Sequence, residues 1–489
     1  MKLPKGFTPL YDPYGQFQID TIGFGVIKND AGLLLPVGKG KTYTAINICK
    51  WRIENSEVKK IIILCPISVM EKWKDEILRF SGHTSIILHN PARKKRIKLL
   101  NKFKNTNIIY GITNYEGLFP YFDYFKKIKP DIVVADESSR YIKNIISGTR
   151  DFSGRMKSVK RSEATILLGD MAKYRLILTA NLINKPNDIW TQFRFLDKGK
   201  TFGDNYWAWR NHYFEQRDLG LYKKWILKED KISKLRDKIY SLCITFDRKD
   251  IESNIPETIY QVIPITMSDS LKKLYEKIRV KVKSEIETEQ GKAILNIQHI
   301  FTKLIRYQQF TSGFIKDEDN KIKDLKERPK LNAIIEEVES ILDSQEAAII
   351  WCRFRYTMKI IGNTLKKKGI NYTEMHGGTK DKNIWKKFQK SKTSNVFLGQ
   401  IVAGGIGIEL FKLDSDIEYM HVLFAENVFG LDPRNQATGR AEGRIGQSAG
   451  CRVVDFIVKN SIDEKIYNSI LKDEEIADSI MKDGITSWL

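Results

Sequence analysis

The chain has 489 residues, with 82 Lys plus Arg against 60 Asp plus Glu, a formal net charge of +22 at pH 7, and 42% hydrophobic residues. This length is too great for one ordinary core and suggests about two to four domains, while the positive excess favours a polyanionic partner, nucleic acid before an anionic membrane surface. No apolar stretch approaches the roughly 20 residues of a membrane span, and five scattered cysteines (Cys49, Cys65, Cys243, Cys352, Cys451) with no CxxC pair speak against structural zinc and a disulfide framework.

From the N-terminus, "MKLPKGFTPLYDPYG" has no apolar signal core, so a cytoplasmic protein with no membrane partner is expected. Short β-branched runs then alternate with longer amphipathic segments: "GLLLP", "KIIILCP" (60–66), "NIIYGIT" (107–113), "DIVVADE" (131–137) and "RLILTA" (175–180). Runs that are apolar throughout suit parallel strands covered on both faces, and the spacing leaves room for crossover helices. Residues 197–340 lose this pattern and read as charged, helical sequence such as "SLKKLYEKIRVKVKSEIETEQGKAILNIQ". A second strand series follows in "AAIIWCRF" (347–354), "NVFLGQI" (395–401), "EYMHVLF" (418–424) and "CRVVDFIV" (451–458). The expected fold class is α/β, with parallel-sheet units over 1–196 and 341–489 and a helical accessory region over 197–340 between them. The basic runs "RKKRIKLLNKFK" (93–104) and "KKK" (366–368) read as solvated helix faces. "YWAWRNHYF" (206–214) reads as core aromatics at helical spacing, and the histidines, His376 among them, receive no catalytic role.

The chemistry concentrates first in "LPVGKGKTYTA" (35–45). Gly38 and Gly40 free the backbone to curl with its N–H groups inward, Lys41 adds a point charge and Thr42 a hydroxyl, and a helix N-terminus follows. This is a cradle for a nucleoside triphosphate with magnesium. Such a cradle needs a metal-holding carboxylate at the end of a nearby buried strand, and "DIVVADESSRYIKN" supplies Asp136 for the Mg²⁺ shell and Glu137 to polarise the attacking water.

Taken with these, "LCPISVMEKWKDE" (64–76) and "ITNYEGL" (112–118) resemble motifs Ia and Ib of superfamily 2 helicases, closest to the SNF-type branch. "ILTANLINKPNDIWTQFRFL" (177–196) resembles that branch's third motif, "FDRKDIESNIP" (246–256) the basic element before its second lobe, and "IIWCRFRYTMKIIGNTLKKKGINYTEMHGGT" its fourth motif. "GQIVAGGIGIEL" and "DPRNQATGRAEGRIGQ" resemble the fifth and sixth. The resemblance implies two RecA-like domains, ATP and Mg²⁺ as cofactors, and a nucleotide bound by Gln18, Gly38, Gly40, Lys41, Thr42 and Gln436, with Thr42 and Asp136 on the metal. Gln18 matches the adenine-reading glutamine, with Gln16 as the competing choice. Arg440 and Arg444, four apart, match the arginines that disperse charge at the γ-phosphate, so that hydrolysis would depend on closure of the second unit. The departures are Leu35 in place of the first glycine of the longer loop form, "TANLIN" in place of a longer turn in the third motif, Tyr141 as an extra residue in the second motif, and one residue more than usual between Arg440 and Arg444.

Carried over from the family, nucleic-acid contacts fall at Pro66, Ser68, Thr113, Asn114, Arg353, Arg355, Gly404 and Gly405, where strand-end backbone reaches phosphates without reading bases. The resemblance thus implies an ATP-driven DNA helicase or translocase, 3′ to 5′, acting on single-stranded, forked or branched DNA. RNA as substrate, or duplex translocation without unwinding, are the alternatives. The likeness extends to the compact stand-alone helicases of tailed bacteriophages, which implies replication, recombination or repair in a host cytoplasm and a monomeric protein.

Overall fold

The computed structural model describes residues 1–56, 58–143, 157–180, 182, 188–218, 223–246, 251, 258–278, 305–316, 321–381, 383–391, 394–401, 408–412, 417–428, 431–441, 449–468 and 470–471. The chain divides into two compact units, one mainly Met1–Asp218 with Lys223–Asn254, the other mainly Ile255–Asp478.

The first unit is built on a parallel seven-stranded sheet. Its strands are β1 (Asp30–Leu34), β2 (Ile61–Leu64), β3 (Ser85–Ile87), β4 (Tyr110–Thr113), β5 (Ile132–Asp136), β6 (Tyr174–Thr179) and β9 (Cys243–Thr245), in the order β3-β4-β2-β5-β6-β1-β9. Successive side chains of a strand point to opposite faces, so a strand covered on both sides must be apolar at every position. In β2, Ile61 and Ile63 enter one core with Trp73 and Leu33, while Ile62 and Leu64 enter the other with Phe103 and Tyr115. α1 (Gln16–Ile27) precedes β1, and α2 (Lys41–Asn55), α3 (Met70–Ser81), α4 (Arg93–Asn105), α5 (Phe122–Ile128), α6 (Ser138–Tyr141), α7 (Lys157–Met171) and α8 (Asp188–Asp197) follow between the later strands. α3 buries Met70, Trp73, Ile77 and Ser81, a stripe at helical spacing, and stops at Gly82, whose φ of +73° is left-handed.

The second unit carries a parallel six-stranded sheet in the order β10-β17-β16-β13-β15-β14. These are β10 (Thr258–Ile265), β13 (Ala347–Cys352), β14 (Tyr372–Met375), β15 (Val396–Gln400), β16 (Tyr419–Phe424) and β17 (Gly450–Val458). β13 repeats the two-faced logic, with Ile349 and Trp351 in one core and Ile350 and Cys352 in the other. α11 (Pro329–Asp343), α12 (Arg355–Lys367), α13 (Trp385–Lys390) and α14 (Leu431–Thr438) flank it. Each unit has the RecA-like layering of a parallel sheet between helices.

The stretch 197–340 differs from its expected form as one helical region between the units. Its first part continues the first unit through α9 (Tyr206–Tyr213), the antiparallel hairpin β7 (Phe214–Asp218) and β8 (Lys223–Leu227), α10 (Ile232–Tyr240) and edge strand β9. Its later part supplies edge strand β10 and the small hairpin β11 (Phe314–Lys316) and β12 (Ile322–Asp324) to the second unit. An edge strand pairs on one side only and does not need an apolar run, which is why charged sequence conceals it.

Candidate nucleotide and nucleic-acid site

In an open parallel sheet, ligands gather beyond the carboxyl ends of the strands. Here β4, β2, β5, β6 and β1 end side by side on Thr113, Leu64, Asp136, Thr179 and Leu34. Strands β1 and β5 are separated only by β6, roughly 10 Å at the usual strand spacing, so the loop after β1 and the carboxylate ending β5 face one small space.

Gly38 and Gly40 both have φ of +80°, the left-handed backbone that a side chain would strain, and they turn the chain sharply into α2. The first turn of α2 is closed by Thr44 N–H donating to the Gly40 carbonyl at 2.9 Å. Lys41 Nζ donates to the carbonyls of Leu35 at 2.8 Å and Pro36 at 3.2 Å. Phosphate oxygens accept from an ammonium more strongly than neutral carbonyls do, so this lysine is placed to exchange partners. The structure also separates the two glutamines. Gln18 is buried, accepts from Tyr14 N–H at 2.9 Å and donates to the Lys39 carbonyl of the loop at 3.3 Å. Gln16 is exposed and donates instead to the Met1 carbonyl and Asp20.

Asp136 is held from three sides. Trp73 Nε1–H donates to its Oδ2 at 2.9 Å, Glu137 N–H donates to its Oδ1 at 3.0 Å, and the Tyr115 hydroxyl donates to its backbone carbonyl at 2.6 Å. Burial, then the neighbouring Glu137 charge, push the Asp136 carboxyl up to about 6, with Lys41 among the groups that pull it back. Glu137 sits at φ +50°, a left-handed conformation that costs a non-glycine residue about 1–3 kcal/mol and is retained mainly at functional sites. Behind it, Ser139 Oγ lies 2.8 Å from Thr179 Oγ1, tying the carboxylate motif to the end of β6.

Trp73 and Tyr115 were not singled out from the sequence. Trp73 lies in the "W..E" part of "LCPISVMEKWKDE" and Tyr115 in "ITNYEGL", the two stretches that resemble motifs Ia and Ib. The extra Tyr141 stacks flat on Tyr115 with ring centroids 4.6 Å apart, and the Arg161 guanidinium lies 5.3 Å from the Tyr141 ring. Tyr115→Phe keeps this stack and deletes one hydroxyl. It is expected to lower the stability of the first unit by about 1 kcal/mol, the usual net worth of a buried hydrogen bond, read as a shift of the urea midpoint at unchanged slope.

Among the expected nucleic-acid residues of this unit, Pro66 and Ser68 follow β2 and Thr113 and Asn114 close β4, two neighbouring strand ends. Pro66 is buried and Ser68 half-buried, but Thr113 and Asn114 are buried with their side chains engaged. Arg96 Nη2 donates to Thr113 Oγ1 at 3.1 Å and to Asn114 Oδ1 at 3.0 Å, and Asn114 Nδ2 donates to Glu116 at 3.0 Å. Their backbone, not their side chains, is what this turn can offer a phosphate. Arg96 belongs to the run read as a solvated face. Arg93, Lys94 and Lys95 are exposed as expected, while Arg96 turns inward with Leu100 and Phe103.

In the second unit, Arg353 Nη1 donates to Gln308 at 2.7 Å and its backbone N–H to Glu426 at 2.9 Å, and burial lowers its pKa. Arg355, two residues on at the start of α12, is exposed. Gln436 is half-buried on α14, and Arg440 is buried just beyond it, its carbonyl accepting from Leu410 N–H at 3.0 Å. Gly404, Gly405 and Arg444 lie outside the described residues.

Thr42 and Asp136 present a hydroxyl and a carboxylate, the hard oxygen donors that magnesium selects. A carboxyl pushed up by burial and a like charge also gains from a divalent cation beside it. The residues present fit the ion.

Comparison with known proteins follows the same lines. The chain is 25% identical over 413 residues to an ATP-dependent helicase of Mycoplasma genitalium, covering 83% of this chain and 36% of that protein. It is 22% identical over 474 residues to the chromodomain-helicase-DNA-binding protein 1-like of Danio rerio, covering 95% of this chain and 43% of the relative. The chain therefore spans well under two thirds of the length of these relatives. A solved structure of the Sulfolobus solfataricus SWI2/SNF2 ATPase core in complex with dsDNA matches over 100% of this chain and 96% of that one, at 21% identity and a TM-score of 0.45. The SNF2-related domain matches residues 28–314, from just before β1 through the loop that follows it and the Asp136–Glu137 pair and beyond, which is more than half of the chain: the protein belongs to the SNF2-related domain family.

Proposed function

We propose that the protein is a nucleic-acid-stimulated ATPase that moves along DNA, 3′ to 5′, and unwinds or remodels forks and branched junctions. The observation that carries this reading is the coupling at Asp136. The carboxylate is gripped by Trp73 from the helix after the Pro66 turn and its backbone by Tyr115 from the turn after Thr113. A displacement of either candidate nucleic-acid turn is transmitted to the group beside the phosphate cradle through one hydrogen bond. The chromodomain-helicase-DNA-binding relative, by its name, supports DNA as the polymer.

In this reading the loop N–H groups and Lys41 hold the triphosphate, Gln18 and Gln436 help fix the nucleotide, and Glu137 orients the attacking water. Thr42 and Asp136 would hold magnesium, which when bound neutralises charge on the phosphates. Arg440, and Arg444 after it, disperse charge that develops at the γ-phosphate, where a fixed guanidinium outperforms a flexible ammonium. The turn around Pro66 and Ser68, the turn around Thr113 and Asn114, and the backbone at Gly404 and Gly405, with Arg353 and Arg355, contact the strand. The likeness to phage helicases, a monomeric state and a cytoplasmic place in replication, recombination or repair belong to the same proposal.

The test is strand displacement from a labelled fork beside triplex displacement from a blunt duplex, each with ATP. Release of the fork arm supports the proposal. Release of the triplex strand alone points to translocation without unwinding, and consumption of ATP with neither product contradicts movement on DNA.

A further inference from the structure

We infer that Trp207 and Arg210, on α9 of the first unit, form a stacking platform for an unpaired base of the nucleic acid; this rests on the DNA-dependent function proposed above and names a further contact for it. "YWAWRNHYF" reads as core, and the structure divides it. Tyr206, Trp209 and Tyr213 are buried at 4%, 3% and 4% exposure and pack with Phe202 and Phe214. Trp207, on the outer side of the same helix, is 50% exposed. The helix is pinned at its start, where Asn205 Oδ1 accepts from Ala208 N–H at 3.1 Å, so the exposed indole stands on a fixed mount.

Arg210 lies one turn on. Its guanidinium is 4.5 Å from the Trp207 ring centroid and 3.6 Å from that of Trp225 on strand β8. Its buried Nε has no hydrogen-bond partner, and its Nη2 donates to Asn211 Oδ1 at 3.2 Å. Two indoles, more than polar partners, thus set the position of this charge. The surroundings are positive: His212, exposed on the same helix, is held toward its neutral form by burial and by Lys231, Lys228, Lys238 and Lys234. Of the acidic groups nearby, Asp230 pairs with Lys231 at 2.9 Å and Asp204, three residues before Trp207, with Arg194 at 2.9 Å.

An exposed aromatic face backed by a guanidinium, in a field of lysines, fits a polymer that carries a π-surface and a negative charge at every residue. Single-stranded nucleic acid is that polymer, and stacking on an aromatic side chain is tolerant of sequence. A paired duplex hides its base faces, so the platform distinguishes unpaired from paired DNA. It follows that DNA with a single-stranded tail is held more tightly than blunt duplex of equal length, and that Trp207 carries the difference.

The experiment is equilibrium binding of a fluorescent blunt duplex and of the same duplex with an oligothymidine tail, without ATP, at one salt concentration. The reading is the ratio of the two affinities within each preparation, so a partly unfolded variant cancels. Trp207→Ala is expected to reduce the preference for the tailed DNA by about tenfold, and Trp207→Phe, which keeps an aromatic face, to retain most of it. An unchanged ratio in Trp207→Ala, or an equal loss in Trp207→Phe, overturns the platform while leaving the DNA reading intact. A wild-type protein that binds neither DNA overturns both.

Discussion

Glu137→Gln is expected to lower kcat for ATP hydrolysis by about 10²–10⁴-fold, the usual contribution of a positioned general base, while ATP and nucleic acid still bind. The substitution keeps the side chain's length and leaves the left-handed backbone at φ +50° as it is, so the loss reports on the carboxylate charge and not on the fold. Lys41→Ala removes the other half of the site. The ammonium that Leu35 and Pro36 carbonyls now hold is the group placed to meet the phosphates, and its loss is expected to cost about 10²–10³-fold in kcat/KM, as for removal of one preorganised donor. A coupled assay of phosphate release measures both. Hydrolysis at the wild-type rate in either variant contradicts the assignment of the site.

Asp455→Ala is expected to destabilise the second unit by about 3–5 kcal/mol, the cost of removing one partner from a buried ion pair. Asp455 on β17 accepts from Arg434 Nη1 and Nη2 at 2.6 Å each and from Asn427 Nδ2 at 2.7 Å, and Arg434 and Asp455 are both buried. This pair fastens α14, which carries Gln436 and leads to Arg440, onto the sheet. The guanidinium also lies 4.3 Å from the Phe424 ring of β16. Hydrogen exchange over β16 and β17 reads the loss in this unit separately from the first. Replacing both Arg434 and Asp455 with Met and Leu is expected to recover much of it, because an apolar pair needs no desolvation. If Asp455→Ala leaves exchange in these strands unchanged, the pair is not what holds α14 in place.

The two sheets were legible in the sequence wherever a strand is buried on both faces. β1, β2, β4, β5 and β6, and later β13, β15, β16 and β17, each overlap one of the apolar runs, although β1 starts two residues before its run and β6 and β17 one residue before theirs. The strands that escaped are β3 and β9 at the edges of the first sheet and β10 and β14 at the edges of the second. β3 is half-buried throughout and β10 mostly exposed, so neither carries an unbroken apolar signal. The boundary between the units was obscured for the same reason, since β10 begins the second unit inside sequence that reads as helical.

The candidate phosphate loop and the Asp136–Glu137 pair stand out in the sequence because the chemistry proposed for them would dictate their residue types locally. Their supports do not, because they come from distant parts of the chain. Nothing local to Arg96 announces that its guanidinium will run under Thr113 and Asn114, and a charged run of this kind usually faces solvent. Gly117 leaves the room that guanidinium needs, since a Cβ there would fall 1.6 Å from Arg96 Nη2. The choice between Gln18 and Gln16 likewise needed the helix: two residues on one helix point to different sides, and only Gln18 faces the loop.

The measurement that tests the account most directly is steady-state ATP hydrolysis by the wild-type chain without nucleic acid and then with single-stranded DNA, duplex DNA, a fork, a four-way junction and RNA at one salt concentration. Lys41→Ala serves as the blank. The account predicts hydrolysis stimulated by DNA, most by forks or junctions. Hydrolysis stimulated by RNA alone, or none with any nucleic acid, contradicts it.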